Sequence, residues 1–298
     1  MIVFSVFYGG SAAPVVRLEL TTLKGISFMS EANHQLEELH QLITTERDTG
    51  SGHYLSLRHY ESSGEVEMCA IRLDAADSLK RGGGAKRKND DKAFMDEITI
   101  RKSIARARTS VRRKALSMCA DRMLTLTFRE NVTSIDSAWD CFKYFCKLMR
   151  ARYGRGDNQF QYIAVPEYQK RGAVHFHLAI SGYYHANTVR RLWRRAAGKY
   201  QGNIDITSPK KAGKNSWNPR RIANYITKYI TKNDSVDFNK RRYSSGGKIC
   251  PPEPVRGWIA LGIPLIEVMR QCVEKITRKD ITCIWESEGY FGITYLST

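Results

Sequence analysis

Residues 172–180 read GAVHFHLAI, two imidazoles one residue apart inside an apolar run. A strand alternates its side chains with period two, so His175 and His177 would leave one face while Val174, Phe176 and Leu178 take the other. Neutral imidazole is a common metal ligand, and two on one strand face can chelate a single ion. Glu167 stands at the spacing E-x7-H-x-H, across the turn YQKRGA, and a hairpin of that length can return position 167 beside 175. One carboxylate and two imidazoles leave open positions for water or a phosphate oxygen. Such a set predicts a divalent metal, Mg²⁺ or Mn²⁺, acting as a Lewis acid; Zn²⁺ also suits three protein ligands plus water. Each part alone has an ordinary reading, the histidines as satisfied core residues and Glu167 as a hairpin carboxylate.

The second chemical signal is ANYITKYITK, residues 223–232. At 3.6 residues per turn, Tyr225, Lys228, Tyr229 and Lys232 share one helix face, and Ile222, Ala223, Ile226 and Ile230 form the apolar stripe beside it. A phenol is a weak nucleophile near neutrality because its pKa is about 10. Two ammonium groups one turn away favour the phenolate and screen a phosphate's charge. By itself this helix reads equally as one with two interfacial tyrosines and two solvated lysines. Taken with the histidines, it reads as an apparatus for phosphoryl transfer.

The elements that must position these groups follow from periodicity. MLTLTF (123–128) predicts a strand, SAWDCFKYFCKLMRARY an amphipathic helix carrying Trp139, Phe142, Phe145, Cys146 and Met149 inward, and QFQYIAVPEY with AVHFHLAIS a hairpin. NTVRRLWRRAAGKY predicts a helix capped by Asn187, with Val189, Leu192, Trp193 and Ala196 inward and Arg190, Arg191, Arg194 and Arg195 largely outward. Those four arginines are candidate DNA-phosphate contacts, or a solvated face. NIDIT is a further strand, and the tyrosine helix starts at cap Asn218 with Pro219 at its first position. The order β-α-β-β-α-β-α predicts an α+β fold, an antiparallel-centred β-sheet with helices packed on one face.

The flanks are less informative. Residues 1–88 are expected to be an N-terminal segment and basic linker, 89–247 the domain that carries the chemistry, and 248–298 a C-terminal extension. A polar helix is expected over SEANHQLEELHQLITTE, with His34, His40, His53 and His59 in surface or packing roles. KRGGGAKRKNDDK reads as a flexible linker and ITIRKSIARARTSVRRKALSM as a basic helix. In the tail, PLIEVMRQCVEKIT predicts a helix and ITCIWESEGYFGITYLS a strand pair that packs on the core.

Composition narrows the class. The 298 residues are 42% apolar, enough to bury a core and to exclude wholesale disorder. With 48 Lys plus Arg against 30 Asp plus Glu, the net charge is +18, which favours nucleic acid first and an anionic membrane second. The charge concentrates: 13 basic residues against four acidic ones lie between Lys80 and Lys114, beside the segment that carries the chemistry. Seven cysteines form no C-x-x-C pair, which argues against a cysteine zinc site and for reduced thiols. No stretch approaches the roughly 20 apolar residues of a membrane span, and the opening run lacks a basic leader. A soluble protein of the cytoplasm, of a bacterial host if the resemblance below holds, is the expectation.

VHFHLAI resembles the histidine–hydrophobe–histidine motif of the HUH endonucleases, and YITKYITK resembles their two-tyrosine motif. DRMLTLTFREN, AVPEYQKRGAVHFHLAI and RIANYITKYITK together resemble rolling-circle replication initiators of the microvirus type, from small single-stranded DNA phages, over roughly residues 100–245. Tyrosines that follow the histidines fit an initiator; plasmid-mobilising relaxases place them first. No G-x-x-x-x-G-K-[ST] is present, so a fused helicase is not expected. The resemblance implies an HUH, RRM-like core. It implies His175, His177 and Glu167 on a divalent ion, Tyr225 and Tyr229 as nucleophiles, and Lys228 and Lys232 positioning phosphate or assisting the leaving group. It further implies nicking and joining of single-stranded DNA at a replication origin through a 5′-phosphotyrosine, with host helicase and polymerase as partners. The alternative of another class is a non-catalytic basic protein that holds single strands by charge and stacking.

Overall fold

The computed structural model describes residues 3–7, 15–19, 51–73, 97–154, 159–207, 218–232, 242–286 and 293–298. The chain divides into two compact units, 88–251 and a second built from 1–87 with 252–298.

In the first unit a long helix, α1 (Glu97–Ser117), leads into strand β5 (Arg122–Phe128), followed by helix α2 (Ile135–Tyr153). Strands β6 (Tyr162–Tyr168) and β7 (Val174–Ile180) form the expected hairpin, and α3 (Ala186–Ala197), β8 (Gly202–Thr207), α4 (Pro219–Lys232) and β9 (Ser244–Gly246) complete the unit. The five strands form one antiparallel sheet in the order β8-β5-β7-β6-β9, so the histidine strand is central. All seven of its residues are buried.

A central strand buried at every position needs cover on both faces, and the helices supply it. Leu124, Leu126, Phe176, Leu178 and Ile180 pack against α2 and α3 through Phe142, Phe145, Val189 and Trp193. Met123, Ile163, Val165 and Ala179 pack against α1 and α4 through Val111, Ala115, Ile222, Ala223, Ile226 and Ile230. The expectation of helices on one face is therefore corrected: α1 and α4 cover the histidine side. The reason is visible in the strands, which carry small or aliphatic residues between the polar positions of that face and so leave an apolar floor.

The aromatic side is the more tightly interlocked. Phe142 stacks on Phe176 at 4.8 Å, and Trp193 meets Phe128 at 5.0 Å and Phe145 at 5.6 Å. Capping follows sequence in two helices: Ser134 Oγ accepts from the Ser137 amide at 3.3 Å, and Asn218 Oδ1 accepts from the Arg221 amide at 2.8 Å. The third cap differs. Helix α3 is capped at His185 without a side-chain bond, because Asn187 lies inside the first turn and its Oδ1 accepts from Arg190 at 2.6 Å.

The second unit holds β3 (Gly52–Tyr60), β4 (Glu65–Leu73), β10 (Val255–Ala260), helix α5 (Leu265–Ile276), β11 (Cys283–Glu286) and β12 (Ile293–Ser297). Its sheet runs β10-β3-β4-β12-β11, all antiparallel, so strands from both ends of the chain alternate in one sheet. The division of the flanks into 1–88 and 248–298 does not express this pairing. Leu55, Val66, Met68, Ala70 and Leu296 form its floor, on which Val268, Met269, Cys272 and Val273 of α5 pack. The short strands β1 (Val3–Phe7) and β2 (Val15–Glu19) pair with each other. His34, His40, the polar helix of 30–46 and the linker of 80–92 lie outside the described residues, apart from which the tail helix and strand pair form where periodicity places them.

Candidate active site

The hairpin sets the site by register. Gly172 turns the chain at φ +84°, a backbone conformation that L side chains rarely adopt, with its amide donating to Gln169 O at 2.8 Å. That turn pairs Glu167 with His175 and Val165 with His177. On the other side of β7, β5 places Thr127 opposite His175 and Thr125 opposite His177. Directly opposed residues share a face, so Glu167, both histidines and both threonines project together.

His177 is held from two sides. Its Nε2 lies 2.7 Å from Glu167 Oε2 and its Nδ1 lies 3.3 Å from Thr125 Oγ1. A carboxylate only accepts, so Nε2 carries the proton, and in the neutral ring Nδ1 accepts from the threonine hydroxyl. His175 is 8% exposed, and its Nε2 is buried with no hydrogen-bond partner. Burial pushes its pKa below the usual histidine value, with His177 and Arg171 adding to the shift and Glu167 opposing it. A neutral imidazole with an orphaned nitrogen is the protonation state and the unmet bonding capacity of a metal ligand. The three groups share a sheet face without forming a closed cage: among the described residues, no group of three or more His, Cys, Asp or Glu is arranged to hold an ion.

Helix α4 delivers the tyrosines to these histidines. The Tyr229 ring stacks on the His177 imidazole with centroids 3.7 Å apart and planes 11° from parallel. Its hydroxyl donates to the Tyr225 oxygen at 2.8 Å. Tyr229 is 8% exposed and Tyr225 37%, so the outer phenol meets solvent and the inner one is sandwiched. Desolvation raises the Tyr229 pKa well above the usual tyrosine range, with its bond to Tyr225 and the Glu167 charge pushing the same way. Lys228 sits 6.0 Å from the Tyr225 ring centroid. Lys232 closes the helix, and its side chain lies outside what is described.

The four arginines of α3 separate into two pairs, as the i,i+4 spacing requires. Arg190 donates to Asn203 Oδ1 at 3.1 Å, and Arg194 Nε donates to Gly202 O at 3.3 Å, so this pair faces the start of β8. Arg191 and Arg195 are exposed.

Thr125 and Thr127 are site residues that sequence reasoning passed over. Their signal was present, since MLTLTF alternates hydroxyl with apolar positions in step with H-x-H. Only pairing β5 with β7 reveals that both patterns line one face.

Residues 121–234 match the family model of the replication-associated protein ORF2 type. The matched segment contains Glu167, both histidines and both tyrosines, and supports a relationship to rolling-circle replication initiators. No curated protein and no solved structure matches the chain significantly. Among the described residues, no helix is long and apolar enough to cross a membrane.

Proposed function

We propose that this chain is a replication initiator of the HUH, microvirus-like kind that nicks and rejoins single-stranded DNA at an origin. The observation that carries the reading is the contact of the tyrosine helix with the histidine strand: one phenol stacked on His177, the other bonded to it. A helix with two bland interfacial tyrosines has no need to seat one on a buried imidazole.

His175, His177 and Glu167 are the residues that would hold a divalent ion, Mg²⁺ or Mn²⁺; the orphaned Nε2 of His175 gives that ion a bond to make. When bound there, it would supply Lewis-acid polarisation of a phosphodiester oxygen. Tyr225, the more exposed phenol, is the first nucleophile. Its oxygen bonds to phosphorus, the P–O3′ bond breaks, and the phenolic proton passes through solvent to the departing 3′-oxygen. Tyr229 donates a hydrogen bond to the attacking oxygen and so favours charge developing on it. Lys228 adds a positive charge beside the same ring. The product keeps a phosphodiester, now on tyrosine, so rejoining needs no external energy source. The free 3′-hydroxyl is a primer for a host polymerase, with a host helicase opening the template. Two phenols within 2.8 Å permit alternation between successive cuts.

A second reading has a specific observation behind it. The Glu167–His177 bond and the missing metal cage suit a non-catalytic basic protein that holds single strands. Incubation with labelled origin single strands and Mn²⁺ separates the two. Covalent protein–DNA product that disappears with EDTA and in the Tyr225→Phe, Tyr229→Phe double variant supports nicking. Binding unchanged by EDTA, with no adduct under any metal, supports the second reading.

A further inference from the structure

The start of β8 borders a cavity of about 620 Å³ that the chemistry above does not use. Arg129, Arg194, Gln201 and Asn203 line it with Thr127 and Gly202, and none of its lining side chains is acidic. That volume falls within the range of small-molecule sites and exceeds what one base needs.

The polar groups are aimed in one sense. Arg129 donates to Gln201 Oε1 at 3.2 Å, and Arg190 donates to Asn203 Oδ1 at 3.1 Å. A guanidinium cannot accept, so both carboxamide oxygens are engaged and both carboxamides present their N–H donors outward. With two arginines added, the cavity offers donors only. Its natural occupant is rich in acceptors. Among base edges, guanine alone presents two adjacent acceptors, O6 and N7; adenine and cytosine present an amino donor that would find no acceptor here.

Two features mark the place as built. Gln201 adopts φ +48° and ψ 166°, close to a region populated by glycine, although it carries a long side chain. Gly202 next to it lies so close to Trp193 that an added Cβ would stand 2.4 Å from the indole Nε1. That nitrogen donates to Thr127 O at 2.8 Å, which ties the cavity wall to the sheet. Thr127 is the register partner of both Asn203 and His175. The wall therefore stands two strand spacings from the histidines, about 10 Å.

We propose that this cavity is a nucleotide subsite. It takes a guanine of the single-stranded substrate close to the attacked linkage, with Gln201 and Asn203 donating to the base and Arg129 and Arg194 to the adjoining phosphates. The assignment deepens the nicking function and rests on it for the identity of the strand.

The test uses the full chain as the Tyr225→Phe, Tyr229→Phe variant in EDTA, so that binding is read without cleavage. A randomised 12-nucleotide single-stranded pool is bound, and the retained fraction is sequenced. One position is expected to enrich in guanine by about fivefold or more. Adding Gln201→Gly, which suits the left-handed backbone, and Asn203→Ala should abolish that enrichment. Adding Arg129→Ala and Arg194→Ala instead should shallow the dependence of log K on log salt by about 1.4, roughly 0.7 per lost phosphate contact. Enrichment that persists without both carboxamides, or a salt slope untouched by loss of both arginines, overturns the subsite. The two proposals fail separately. Adduct formation by the wild-type chain with base selection indifferent to these residues removes the subsite and keeps the chemistry; carboxamide-dependent guanine selection without any adduct does the reverse.

Discussion

Replacing the two tyrosines by phenylalanine one at a time is expected to give unequal losses. Tyr225 is 37% exposed and accepts a hydrogen bond from Tyr229, which is 8% exposed and stacked on His177. The attacking oxygen in the first cut is therefore assigned to Tyr225. Tyr225→Phe removes it, and adduct formation should fall to background in a single turnover, because the remaining phenol is shielded. Tyr229→Phe leaves the nucleophile and removes one donor to its developing charge. A hydrogen bond to a charged group contributes about 1.5–3 kcal/mol. At about 1.4 kcal/mol per tenfold in rate, the expected slowing is roughly 10- to 150-fold. The assay follows an oligonucleotide labelled at its 3′ end, since the 5′-phosphotyrosine retains the downstream fragment. The substrates tile the replicon that encodes the protein, and label is read on denatured protein under single-turnover conditions with Mn²⁺. A Tyr225→Phe chain that forms adduct as fast as Tyr229→Phe, or faster, refutes the order of attack deduced from exposure and bond direction.

Other consequences are as direct. Mn²⁺ at 100 times its dissociation constant should stabilise the wild-type chain by about 2.7 kcal/mol, and His175→Ala should erase the accompanying rise in melting temperature. Gly202→Ala would put a Cβ 2.4 Å from Trp193 Nε1 and 2.9 Å from Thr127 O, and thermal unfolding should register a loss of about 1–3 kcal/mol. Phe176→Ala opens a cavity beneath Phe142 and Trp139, for a loss of about 3–5 kcal/mol by urea unfolding; a loss under about 1 kcal/mol would contradict the packing. Burial lifts the Cys146 thiol from an ordinary value near 9 to about 12. Between those values the unfolded chain loses this proton and the folded chain keeps it, so stability falls as pH rises above 9, by about 1.4 kcal/mol per pH unit from this group. Urea midpoints at pH values of about 8, 9.5 and 10.5 test it: Cys146→Ala should flatten the decline, and an unaltered decline in that variant would assign the effect elsewhere.

Much of this was legible locally. The period-two run around His175 and His177, the helical spacing of Tyr225 and Tyr229, and the Asn218-Pro219 start of α4 each depend on near neighbours alone. The site's partnerships were not legible, because they join residues far apart in sequence. Thr125 reaches His177 across 52 positions, and Trp193 reaches Thr127 across 66. The cap of α3 was misplaced for a related reason: Asn187 has the right residue type, but a guanidinium one turn on claims its oxygen.

Sequence alone determined which faces are chemical and which are apolar, since alternation along a strand and periodicity along a helix are properties of the backbone. It also determined the polyanion-seeking charge. Tertiary structure decided which face met which. Seating α4 on the histidine side of a sheet covered on both faces brought a phenol to 3.7 Å from an imidazole. The same packing bent the arginines of α3 toward the start of β8. Long-range burial of apolar surface selects among such pairings, and no short window of residues contains both partners.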